Sequence, residues 1–133
     1  MIKKLSHIAV IVHDLEAALK FWRDALGLEL ECVEDIPAQQ AEVAFLPLGE
    51  TKIELVRPTA NDSGEAHFLT KHGAGMHHIA LEVGDLDSML SRLQAKGIRL
   101  INETPVVAAG GKLAAFIHPD SASGVLVELY QSD

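Results

Sequence analysis

The sequence predicts an α+β fold: two tandem βαβββ modules whose strands form one curved, barrel-like sheet, with the helices outside. Three observations predict it. The run His7-Ile8-Ala9-Val10-Ile11-Val12-His13-Asp14-Leu15 returns 71 residues later as His78-Ile79-Ala80-Leu81-Glu82-Val83-Gly84-Asp85-Leu86. Ile53-Glu54-Leu55 returns 74 residues later as Val127-Glu128-Leu129, and one loop insertion absorbs the three-residue difference. Strand and helix periodicities then follow in the same order in both halves, as a duplication requires.

The first module occupies about residues 1–58. Residues 5–12 are rich in β-branched side chains and read as a strand, with His7 and Ala9 on one face and Ile8 and Val10 on the other. Asp14 caps a helix on which Leu15, Ala18, Leu19, Trp22 and Leu26 recur at helical spacing, and Gly27 stops it. Residues 28–36, 42–47 and 51–56 read as three further strands, the last two joined by the Leu48-Gly49-Glu50 turn. Pro58, Asn61, Asp62, Ser63 and Gly64 then break the strand rhythm. A linker of about residues 59–74 follows, with a short helix over 65–72.

The second module, about residues 75–133, repeats the order. Residues 76–83 form its first strand, Asp85 caps its helix, and Leu86, Met89, Leu90 and Leu93 give the apolar stripe that ends at Gly97. Short strands are expected over 99–102, over 113–117 after the Gly110-Gly111 turn, and over 124–130.

A chain of 133 residues with 48% apolar side chains fills one core of ordinary size, so both modules are expected to form a single domain, 1–133. A formal net charge of −8, from 11 basic and 19 acidic residues, argues against a nucleic-acid partner. No apolar run is long enough to span a membrane, and none resembles a signal-peptide core, so a cytoplasmic protein is expected. Cys32 is the only cysteine. It excludes an internal disulfide and a thiolate cluster, and reads as a buried strand residue.

Each module places a histidine on its first strand and a glutamate on its last. A single strand histidine is more often a hydrogen-bonded core residue than a ligand. A glutamate flanked by aliphatic strand residues is different, because a buried carboxylate costs several kcal/mol unless it is paired or bound to a metal. The same pair at matching places twice favours a metal site of His7, Glu54, His78 and Glu128 in the trough of the sheet. Two imidazoles and two carboxylates suit Co²⁺, Zn²⁺, Ni²⁺, Mn²⁺ or Fe²⁺, and the sequence does not choose among them. His77 alternates with His78 and should point away from the trough. His13, His67, His72 and His118 fall at element ends and read as solvated or capping residues.

On the segments LSHIAVIVHDLEAALKFWRDALGLE, VAFLPLGETKIELVRP, GAGMHHIALEVGDL and AFIHPDSASGVLVELYQ, the whole chain resembles the vicinal oxygen chelate superfamily, which includes glyoxalases, bleomycin resistance proteins and dioxygenases. Within it, the chain is most similar to the methylmalonyl-CoA epimerase family. The resemblance implies that His7, Glu54, His78 and Glu128 are metal ligands. It also implies a homodimer that interconverts (2R)- and (2S)-methylmalonyl-CoA, an acyl-CoA substrate, through a metal-stabilised enediolate. Some family members carry the base on the third strand of the first module. Here Glu42 is the candidate, although alignment back from Leu46 brings Val43 to that position, and Glu128 is the second candidate. Arg57, Lys71 and Lys112 stand in or near loops where they could meet coenzyme A phosphates, and Gly110-Gly111 reads as a turn or as a cradle for the substrate carboxylate. A glyoxalase I-like lactoylglutathione lyase would share the four ligands. A non-catalytic small-molecule binding protein would lack the metal, which the intact set of four argues against, and a ring-cleaving dioxygenase would need only two histidines and one glutamate.

Overall fold

The structure, a computed structural model, describes residues 1–132. Its elements follow as β1 (Ile2–Ile11), α1 (Leu15–Leu19), β2 (Cys32–Ile36), β3 (Ala41–Leu48), β4 (Thr51–Pro58), α2 (Gly64–His72), β5 (Gly75–Val83), α3 (Leu86–Ala95), β6 (Val106–Val107), β7 (Leu113–Ile117) and β8 (Val127–Gln131). The class is α+β, as the sequence predicts. By internal contact the chain divides into two compact units, His7–His77 and Met1–Ser6 with His78–Asp133, so that β1 passes from one to the other between Ser6 and His7.

In the unit His7–His77 the strands run in the order β2-β3-β4-β1. The β2–β3 and β3–β4 pairs are antiparallel, and β1 is parallel to β4. Because strand side chains alternate, this sheet has two apolar faces, and both are covered. Leu15 and Leu19 of α1 pack with Ala44, Leu46, Ile53 and Leu55 on one face. On the other face Ala9, Ile11, Val43, Phe45 and Val56 take Phe68 and Leu69 of α2. Asp14 caps α1 by accepting the Ala17 N–H at 2.9 Å. The helix then widens to a π-helix over Lys20–Ala25, and Gly27 ends it at φ +91°. The wide turn lets the Leu28 N–H reach the Trp22 carbonyl at 3.1 Å. Trp22, Leu28 and Leu30 thereby pack under α1, and the regular strand expected from residue 28 begins only at Cys32. Cys32 itself is exposed, contrary to the buried reading, because β2 is the edge strand and has no neighbour beyond it.

In the unit Met1–Ser6 with His78–Asp133 the order is β1-β5-β8-β7-β6, with β5 parallel to β8 and the other pairs after β5 antiparallel. Leu86 and Leu90 of α3 bury against Val83, Ala115, Val127 and Leu129. The strand expected over residues 99–102 is reduced to one bridge, Leu100 to Ile117. Asn102 explains the loss: its side-chain Oδ1 accepts the Phe116 N–H at 2.9 Å, taking a place that a ladder carbonyl would fill. The last strand begins at Val127 rather than at Gly124, because Gly124 and Val125 donate their N–H groups to Pro119 and Ala122 in the preceding turn.

Leu86 is 0% exposed and sits where α3 enters its core. Leu86→Ala is expected to lower the unfolding free energy by about 2–5 kcal/mol, read as a reduced urea midpoint with an unchanged slope.

Candidate functional site

The histidine and the glutamate of the first unit meet through register. Parallel pairing sets Ala9 opposite Glu54, and antiparallel pairing sets Phe45 on the other side of Glu54. His7 lies two residues before Ala9 and therefore shares its face. The Glu54 side chain leans back to it, with His7 Nδ1 3.2 Å from Oε2 and the two side chains 7% and 14% exposed.

The second unit builds the same arrangement from different residues. Ala80 stands opposite Glu128, and Glu128 opposite Phe116. His78, two residues before Ala80, places Nε2 3.0 Å from Glu128 Oε1, with side chains 10% and 6% exposed. Phe116 meets the His78 ring edge-on, at 5.4 Å and 87°. Phe45 and Phe116 escaped the sequence reading although their signal is there, in Ala44-Phe45-Leu46-Pro47 and Ala115-Phe116-Ile117-His118-Pro119.

Burial at this level makes each carboxylate depend on the polar groups around it, its imidazole among them. The pair distances also suit a shared ion. Two ligands at right angles around a divalent metal, with bonds of about 2.0–2.2 Å, have donor atoms about 3 Å apart. Imidazole nitrogen and carboxylate oxygen in each unit thus form a donor set that fits a first-row divalent ion.

Glu42 does not join these residues. It alternates with Val43, stands in register with Arg57, and accepts a hydrogen bond from Arg57 Nε at 3.1 Å. Val43 and Phe45 share the face of His7 and Glu54, so Glu42 and Arg57 lie on the opposite face, with Ala44 and Leu46. The glutamate expected as the base on β3 is therefore on the wrong side of the sheet. Arg57, expected near the substrate phosphates, is held there with it. Lys71 is exposed in the last turn of α2, and Lys112 is half-buried after Gly111. The turn at Gly110-Gly111 is closed on itself, since Gly111 N–H donates to Ala108 O at 3.1 Å and Ala108 N–H to Lys112 O at 2.7 Å. Both glycines have positive φ, 71° and 74°. His77 packs edge-on against Phe68, and His118 Nδ1 accepts the Asp120 N–H, the capping role expected of it.

One cation near the first pair was not foreseen. Lys52 is in register with His7 on the face of Glu54, with Nζ 5.5 Å from the Phe45 ring centre and 3.1 Å from Glu31 Oε1. Period-two counting back from Glu54 would have found it.

Known proteins resemble this chain over most of its length. The profile of the Glyoxalase/Bleomycin resistance protein/Dioxygenase superfamily matches residues 6–116. The mitochondrial methylmalonyl-CoA epimerase of Mus musculus is 42% identical over 130 residues, covering 97% of this chain and 73% of the relative. The ethylmalonyl-CoA/methylmalonyl-CoA epimerase of Cereibacter sphaeroides is 42% identical over 133 residues, covering 98% of this chain and 99% of the relative. The crystal structure of methylmalonyl-CoA epimerase from Mycobacterium tuberculosis superposes with a TM-score of 0.92 at 35% identity, over 99% of this chain and 89% of that one.

Because Glu128 is buried with its carboxylate 3.0 Å from His78 Nε2, His78→Ala in the metal-free protein removes a close partner of that carboxylate. The unfolding free energy is expected to fall by about 3 kcal/mol, and His78→Ala/Glu128→Leu to recover most of the loss in the same urea titration.

Proposed function

The chain belongs to the Glyoxalase/Bleomycin resistance protein/Dioxygenase superfamily, and we propose that within it the protein interconverts the (2R) and (2S) epimers of methylmalonyl-CoA. The observation that carries this reading is the chain-long likeness to two relatives whose names give that activity. The buried imidazole–carboxylate pair of each unit supplies chemistry that suits it.

His7 and Glu54 from one unit, with His78 and Glu128 from the other, would hold a divalent ion, Co²⁺ or Zn²⁺ first among those that accept these donors. Such an ion, when bound, supplies Lewis-acid stabilisation of negative charge on the thioester oxygen. The remaining work falls to the chain. The proton at C2 lies between a thioester and a carboxylate and is only weakly acidic, so a base must be positioned against it. Glu128 is proposed as that base, as a carboxylate that would loosen from the ion to take the proton, since Glu42 faces away. Phe45 and Phe116, each opposite a site glutamate, exclude water and so strengthen the electrostatics around both carboxylates. Lys71 and Lys112 remain the candidates for the coenzyme A phosphates. The two modules, about 1–58 and 75–133 around the linker 59–74, are proposed to work as one domain.

We further propose that the protein is a cytoplasmic homodimer. A light-scattering mass of two chains at micromolar concentration is the expected result, and a mass of one chain removes the dimer.

The metal-loaded protein in D₂O is expected to take deuterium into C2 of methylmalonyl-CoA while converting either epimer to the mixture. Activity should vanish on chelation and return with Co²⁺ or Zn²⁺, except in His7→Ala/His78→Ala, whose metal content by elemental analysis stays low. No deuterium uptake, together with turnover of the methylglyoxal–glutathione adduct, would replace the epimerase reading with a lactoylglutathione lyase.

A further inference from the structure

Inverting a carbon by proton transfer calls for a group on each side of it, one to take the proton and one to give another. With Glu42 turned away and Val43 buried in its stead, the first unit offers no second group on the His7–Glu54 face of β3. The second unit does. Side chains 78, 80 and 82 share one side of β5, and Glu82 stands opposite Tyr130 as Ala80 stands opposite Glu128.

Glu82 therefore continues the face that carries His78 and Glu128. It is half-buried, and among the described residues its side chain makes neither a hydrogen bond nor an ion pair. The equivalent place in the first unit, four residues past His7, holds Ile11 at 0% exposure, opposite Val56 and covered by Phe68 and Leu69 of α2. The duplication thus has an apolar, covered position in one unit and an unpaired carboxylate in the other. A half-buried carboxylate without a partner is a cost to folding, which a role in binding or proton transfer explains.

We propose that Glu82 is the second proton-transfer residue of the reaction, a proposal that rests on the epimerase reading. Sheet geometry puts the α-carbons of Glu82 and Glu128 about 8 Å apart, from a strand spacing of about 4.8 Å and a two-residue rise of about 6.6 Å. Proton transfer at both faces requires a carbon held within about 3 Å of each carboxylate. In one direction the Glu128 carboxylate takes the C2 proton, and the C–H electron pair moves into the thioester to give the enolate. The Glu82 carboxylic acid then delivers its proton to the opposite face of C2, the electron pair returns to form the new C–H bond, and Glu82 is left as a carboxylate. The other epimer uses the two groups in reverse, and exchange of protons with solvent resets them.

The experiment compares wild type with Glu82→Gln, metal-loaded, on each epimer separately in D₂O, following both C2 deuteration and optical inversion. Interconversion is expected to fall at least about 100-fold. One epimer should still exchange its C2 proton with retention of configuration, while the other no longer exchanges, and Glu82→Asp should regain part of the inversion. Inversion by Glu82→Gln at the wild-type rate overturns the proposal. So does an equal loss of exchange from both epimers, which is what a merely structural role would give. A wild-type protein that exchanges neither epimer sinks the epimerase reading, and the proposal with it.

Discussion

The site depends on the two-residue period of the strands acting together with parallel pairing. In each unit a strand bearing a histidine runs beside, and parallel to, a strand bearing a glutamate, offset so that the glutamate faces a residue two beyond the histidine. Alternation then leaves both side chains no choice of face, and the short reach between them closes the pair. The aliphatic neighbours of each glutamate serve the opposite face and commit the strands to their cores. A one-residue slip would put both carboxylates into apolar packing, where they would cost several kcal/mol.

Much of this was legible beforehand, because it is written as a repeat. The fold class, the helices at Leu15 and Leu86, and the four residues His7, Glu54, His78 and Glu128 follow from two short runs that recur. The face of Glu42 did not follow. Between β2 and β3 lies a 3₁₀ turn over Pro37–Gln39, and Gln40 then takes φ 52°, so the alternation of β2 cannot be carried through to β3. Whether Glu42 or Val43 points inward is a parity question, and a turn of unknown length erases parity. The short strand over 99–102 failed for a related reason: Asn102 competes with the backbone through its side chain, which an apolar pattern does not record.

Where the units differ, their differences mark separate tasks. The His7–Glu54 face is closed beyond Ile11 by Phe68 and Leu69, whereas the His78–Glu128 face carries Glu82 and Tyr130 at the matching row. The Tyr130 hydroxyl ties that row to the loop before Gly110 by donating to Ala109 O at 3.3 Å. One unit thus has a sealed apolar floor, and the other a polar one.

The passage of β1 between the units bears on how the molecule could be taken apart. Sequence halves and compact units do not coincide, since Met1–Ser6 belongs with His78–Asp133 while the residues that follow belong elsewhere. Cutting the chain in the linker would leave the C-terminal fragment without the strand segment that borders β5, and leave the N-terminal fragment holding it with nothing to pair against. Such halves are suited to reconstitution as complementing fragments rather than to life as separate domains.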